Sequence, residues 1–171
     1  MLVANLHLFW QNDYAKHDIA RVIQMRKMRE LLTTEAAAFL TKNGISGSMP
    51  IIAGGDYNSR ANRPSLGSMS TGKVPFLDLN EEAPEYDRIT VRTNHEYPKY
   101  DPETGLWGEP AFTTDGYDMS IDHIFADRAS IGTFTVNRMN IIEDLFAYLS
   151  TDHCPIFVDI SFTATAAKMS K

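Results

Sequence analysis

The sequence predicts a mixed α/β fold in one domain, and three observations predict it. Residues 2–10 alternate as a strand does, residues 14–42 repeat their apolar side chains at helical spacing, and residues 50–55 form a short apolar run of strand length. Strand, helix and strand in that order favour a sheet with a helix laid across it. With 171 residues, 43% of them hydrophobic, the chain is long enough to bury one real core.

In the first strand Leu2, Ala4, Leu6, Leu8 and Trp10 fall on one side, with Asn5 and His7 on the other. The helix carries Ile19, Val22, Ile23, Leu31, Leu32, Ala36, Phe39 and Leu40 as its apolar positions, and Asn43-Gly44 supplies its stop. Arg21, Arg26, Lys27 and Arg29 read as a solvated helix face. Asn62-Arg63-Pro64-Ser65 reads as the start of a short helix running to Thr71. Beyond Asn80, prolines at 84, 98, 102 and 110 rule out long regular elements, and aromatics such as Tyr97, Tyr100 and Trp107 suit either loop packing or stacking on bases. Strands are expected at residues 119–126, 133–139 and 156–162, the last from the alternation of Ile156, Val158, Ile160 and Phe162. The domain is expected to span residues 1–163, with 164–171 a flexible tail.

Composition narrows the function. A formal charge of −6, from 16 Lys and Arg against 22 Asp and Glu, argues against a broad basic face for duplex nucleic acid. It leaves phosphate chemistry at an acidic metal site open. One cysteine excludes an internal disulfide framework and suits a reducing compartment, cytoplasmic or nuclear. No apolar run is long enough to span a membrane, so no membrane partner is expected.

Candidate chemistry gathers where strands end. Gly54 and Gly55 close the run at residues 50–55 and are followed by Asp56 and Asn58, which at strand spacing project to the same side. An ordinary turn uses the same residue types. Against that reading stand two further acid-bearing strand margins, one at Asp122-His123 and one at Asp152-His153, which suggest convergence on one place.

Ala4-Asn5-Leu6-His7-Leu8, Gly55-Asp56-Tyr57-Asn58-Ser59, Ile121-Asp122-His123-Ile124-Phe125 and Thr151-Asp152-His153-Cys154-Pro155 resemble, in that order, the motifs of the endonuclease/exonuclease/phosphatase superfamily. The wording is nearest the carbon catabolite repressor type deadenylases and their nocturnin and angel relatives. Tyr57, His123 and Thr151 depart from the usual residues without removing a functional side chain. The resemblance implies the mixed-sheet half of a deoxyribonuclease-I-like four-layered α/β sandwich. It places the chain in the family's C-terminal half, because the family's Asn and main metal-binding Glu come from motifs that would precede Met1. It implies catalytic roles for Asp56, Asn58, Asp122, His153 and His7, with Mg²⁺, or Mn²⁺, near Asp152 and Asp56 and with substrate contacts from Asn58 and Tyr117. In that scheme Asp56 orients or deprotonates the attacking water, Asn58 donates to the phosphoryl oxygen, and Asp122 holds His153 cationic. The implied substrate is RNA trimmed from its 3′ end, or another phosphodiester, with inositol-phosphate and sphingomyelin phosphoesterases as variants. A catalytically incomplete piece acting as an interaction module, or associating with itself through the face left open, is the alternative.

Overall fold

The computed structural model describes residues 1–10, 15–109, 111–112 and 116–162; the expected helix start at Tyr14 and the tail 164–171 lie outside them. In chain order the strands and α-helices are β1 (Leu2–His7), α1 (Ala15–Lys42), β2 (Ile51–Asp56), α2 (Pro64–Gly67), β3 (Phe76–Asp78) and α3 (Leu79–Glu82). Four two-residue strands follow, β4 (His95–Glu96), β5 (Tyr100–Asp101), β6 (Leu106–Trp107) and β7 (Ala111–Phe112), then β8 (Asp122–Asp127), β9 (Phe134–Ile141), α4 (Leu145–Ser150) and β10 (Ile156–Phe162). The prolines beyond Asn80 leave only such short pieces before β8.

β1, β2, β8 and β3 make a four-stranded mixed sheet in that order. β1 and β2 are parallel, paired from Leu2↔Ile51 to His7↔Asp56, and β8 runs antiparallel to both β2 and β3. Side chains on one face of this sheet, Ile51, Ala53 and Phe125, pack with Met25 and Ala36 of α1. On the opposite face Ile52, Ile124 and Ala126 pack with Val136, Met139 and Ile141 of the β9–β10 hairpin sheet. Period-two alternation along β2 and β8 therefore feeds two separate cores, one on each side.

α1 holds 28 residues without a Gly or Pro. It ends as the sequence predicts: Gly44 sits at φ +64°, Ile45 N–H reaches the Leu40 carbonyl at 3.0 Å, and Gly44 N–H reaches that of Thr41 at 3.2 Å. Its buried face differs from the expectation. Arg21, Met25, Arg29 and Ala36 are buried, whereas Ile19, Ile23, Leu31 and Phe39 are exposed. The buried residues step by about a helical turn and share one face, while the exposed apolar residues drift around the helix. Arg29 is accommodated there because its Nη1 donates to the carbonyls of Met69 (2.7 Å), Thr71 (2.8 Å) and Val74 (3.0 Å). Arg21 donates from Nε to the Phe9 carbonyl at 3.2 Å and pairs with Asp18 at 3.8 Å. Only Arg26 and Lys27 of the four cations lie on the exposed side.

The first strand also ends sooner than its alternation suggests. It stops at His7, and Trp10 is 69% exposed rather than on the core side. Several short elements have no counterpart in the sequence pattern, β3 and α4 among them. β3 is three residues long, and α4 is capped by Asp144, whose side chain accepts the Phe146 N–H at 2.8 Å. Among the described residues, no helix is long and apolar enough to cross a membrane. β1 lies at the sheet edge with Val3 62% exposed. Between this edge and β10 runs an open groove of about 490 Å³, walled by Val3, Asn5, Ile52, Ile124, Ile156 and Phe157 among others.

Candidate active site

Three strand ends meet at one place. Parallel pairing of β1 with β2 sets His7 beside Asp56, and antiparallel pairing of β2 with β8 sets Asp56 beside Asp122. The close approach depends on Gly55, at φ +138°, where a Cβ would stand 2.0 Å from the Leu6 carbonyl oxygen. β2 ends at Asp56, and Asn58 adopts φ +49°, so the two residues are not presented together by strand spacing. They are joined instead by a local turn, in which the Asn58 N–H donates to Asp56 Oδ1 at 2.7 Å. The Asn58 amide also donates to the Leu8 carbonyl at 3.0 Å, which ties the end of β1 to the loop after β2. One of its two amide hydrogens remains for a ligand.

His153 arrives from the segment between α4 and β10. That segment lies against residues 93–95: Asn94 and His153 form a bridge, His95 N–H donates to the Asp152 carbonyl at 2.9 Å, and Cys154 N–H donates to the Thr93 carbonyl. His153 Nδ1 thereby meets Asp122 Oδ2 at 2.8 Å. That hydrogen bond, opposed only in part by desolvation, raises the imidazole pKa to about 9, so His153 is a cation at neutral pH. Burial, partly offset by the Asn58 N–H, raises the Asp56 carboxyl above its ordinary value. His7 Nε2 lies 3.6 Å from Asp56 Oδ2, with its ring largely exposed.

The structure thus brings His7, Asp56, Asn58, Asp122 and His153 together, and it does not bring in two other expected residues. Tyr117 is buried, and its hydroxyl is engaged with His123 Nδ1 at 3.0 Å and with the Asp78 carboxylate. Asp152 has an exposed side chain and is not among the close ligand groups. Its side chain contributes through its charge, which favours the protonated form of His153.

Thr93 has no signal in the sequence, and His123, though within a motif, has a role the sequence does not show. Thr93, fully buried, donates from Oγ1 to the same Asp122 oxygen at 2.8 Å, while its N–H donates to Ser120 Oγ at 3.0 Å. A lone Thr in a proline-rich stretch gives no pattern to find. His123 is fully buried, its Nε2 3.0 Å from the carbonyl oxygens of both Ser59 and Ser120. Two acceptors require that Nε2 carry the proton, so His123 clasps the loop after β2 to the entry of β8.

Asp56, Asp122 and His153 each offer a ligand atom within 4.8 Å of the others. Their chemistry does not suit a resident Mg²⁺. The protonated His153 is a donor, Asp122 Oδ2 already accepts from His153 and Thr93, and Asp56 Oδ1 accepts from Asn58. A hard cation with near-octahedral oxygen demand finds too few free oxygens here.

No protein-family model matches the chain, and no curated protein matches it. Solved structures do. A functionally unknown conserved protein from Enterococcus faecalis superposes with TM-score 0.58 at 18% identity, over 94% of this chain and 50% of its own. An endonuclease/exonuclease/phosphatase family protein from Bacteroides thetaiotaomicron gives 0.56 at 20% identity, over 93% and 50%. A mannosyl-6-phosphatase from the same species gives 0.53 at 21% identity, over 92% and 50%. The fold is therefore the mixed α/β fold of endonuclease/exonuclease/phosphatase proteins, and the chain spans about half the length of the structures it matches.

Proposed function

We propose that this chain carries part of the active centre of a phosphodiester hydrolase, a 3′ exoribonuclease of the deadenylase kind at full length. The observation that carries the reading is the cationic His153, held by Asp122 at 2.8 Å and set near Asp56. In-line hydrolysis needs a positioned base for water and positive charge for the phosphoryl oxygens. Asp56, raised in pKa by burial, orients and deprotonates the water. His153 holds a phosphoryl oxygen as a charged donor, Asp122, itself held by Thr93, fixes its ring, and Asn58 and His7 complete the cradle. A divalent cation, Mg²⁺ or Mn²⁺, would be held in the longer enzyme, with its principal carboxylate supplied, as the family resemblance implies, by the other half of the fold. The 171 residues alone are then weak or inactive, and their open groove favours self-association.

RNA is favoured over other phosphodiesters by the aromatics that follow the bridge to His153. Tyr97 is 52% exposed, and Tyr100 and Trp107 meet with ring centroids 5.3 Å apart, tilted by 58° and both open to solvent, a surface suited to bases. A sugar-phosphate monoester is the second reading, supported by the fold shared with the Bacteroides mannosyl-6-phosphatase. Stepwise shortening of a short RNA from its 3′ end by the full-length protein, dependent on Mg²⁺, is the expected result. Release of phosphate from hexose 6-phosphates without RNA cleavage transfers the assignment to the second reading, and hydrolysis of neither class overturns both.

A further inference from the structure

We propose a second anion-binding site, distinct from the candidate active site, in the cleft between α1 and residues 72–74. A cavity of about 390 Å³ opens there, lined by Arg26, Arg29, Glu30, Gly72, Lys73 and Val74. Three of its six lining residues are cations, in a chain whose formal charge is −6. The one lining carboxylate, Glu30, is paired with Lys27 at 3.4 Å. Neither Arg26 nor Lys73 makes an ion pair or side-chain hydrogen bond among the described residues.

Arg29 makes this more than a solvated basic patch. It is 6% exposed, and among the described residues no carboxylate contacts its guanidinium; its three bonds there are to carbonyls, all from Nη1. Its Nε is buried with no acceptor. Desolvation lowers its pKa, as it does for a buried cation short of negative charge. The carbonyls of Met69, Thr71 and Val74 fix the guanidinium plane before any ligand arrives. A fixed guanidinium flanked by two unpaired cations suits an oxoanion, and a phosphoryl group matches in charge and in acceptor count.

The site is far from the catalytic residues. Residues 72–74 lead into β3, whose Phe76 pairs with Asp127 at the opposite end of β8 from Asp122. Five residues of strand put the two about 17 Å apart. A free phosphorylated metabolite and a phosphate of a bound nucleic acid share the required chemistry.

Inorganic phosphate, pyrophosphate and a short single-stranded RNA are titrated onto the full-length protein without added metal, followed by backbone amide shifts in NMR. Shifts clustered at residues 26–30 and 72–74 under pyrophosphate are expected. Arg26→Ala with Lys73→Ala should weaken binding there by about tenfold or more, and Glu30→Gln should tighten it. His153→Ala, at the other end of the sheet, should leave that affinity unchanged. Arg29 is avoided because it ties three backbone carbonyls and its loss threatens the fold. A response to RNA but not pyrophosphate assigns the site to a nucleic-acid phosphate; the converse assigns a small ligand. Shifts confined to the His153 end, or affinity indifferent to Arg26, Lys73 and Glu30, overturn the proposal.

Discussion

At the residue scale, the Asp122–His153 contact makes two predictions that differ in kind. Asp122→Asn keeps the shape but removes the charge that holds His153 protonated. In the full-length protein, turnover is expected to fall on the order of 10²- to 10⁴-fold while folding persists, measured as kcat beside a thermal melt. An Asp serving only as a turn residue would tolerate Asn with near-unchanged rate. The second prediction concerns pH. His153 has a folded pKa of about 9, above the ordinary imidazole value of 6.5, so between those values the folded state binds more protons than the unfolded one. Stability from the pair is fully present below pH 6.5 and is lost as pH rises through about 9. Urea unfolding across this window should show a decline that His153→Ala abolishes. The pair was legible in sequence because each partner sits in a motif beside a strand. Thr93 was not, since its role follows from backbone pairing of residues 93–95 with 152–154, which no local pattern announces. Tyr117 went the other way: the family resemblance implies substrate contact, yet burial turns its hydroxyl inward to His123.

At the element scale, strand ends and helix faces were read with unequal success. Apolar alternation locates β1 and β10, and a short apolar run locates β2, which is covered on both faces and so need not alternate polar with apolar. The facing of α1 was misread, since the core accepts Arg21 and Arg29 wherever backbone carbonyls satisfy them and leaves Ile19 and Phe39 outside. Short β3 and α4 hold too few residues to show a period. Two substitutions test the packing. Gly55→Ala forces a Cβ against the Leu6 carbonyl at a φ of +138°, and should destabilise by more than about 2 kcal/mol or prevent folding. Arg29→Ala leaves three carbonyls without their donor and should cost about 3 kcal/mol in urea unfolding. If Arg29 were a solvated face residue, the change would stay within about 0.5 kcal/mol.

At the scale of the whole molecule, the two sheets leave an apolar groove between two strand edges. Among the described residues β1 pairs on one side only and β10 pairs only with β9, and Val3, Ile52, Ile124 and Ile156 line the space between. Open edges beside apolar surface invite pairing with another chain. The chain spans about half of the matched structures, and in our reading the remaining half of a two-sheet sandwich covers this groove. Alone, the 171-residue chain should therefore self-associate or melt at low temperature with weak cooperativity, seen by light scattering after gel filtration and by calorimetry. Its Mg²⁺ affinity should be poor, because the free oxygens around Asp56 are too few for a hard cation. The protein at full length should be monomeric, melt cooperatively at a higher temperature, and bind Mg²⁺ by isothermal titration. Val3→Lys separates the causes: a charge on the open face should disperse self-association of the short chain without restoring Mg²⁺ binding. A monodisperse short chain that melts cooperatively and trims RNA in a chelator-sensitive way would defeat the account at this scale, even with the Asp122–His153 pair intact.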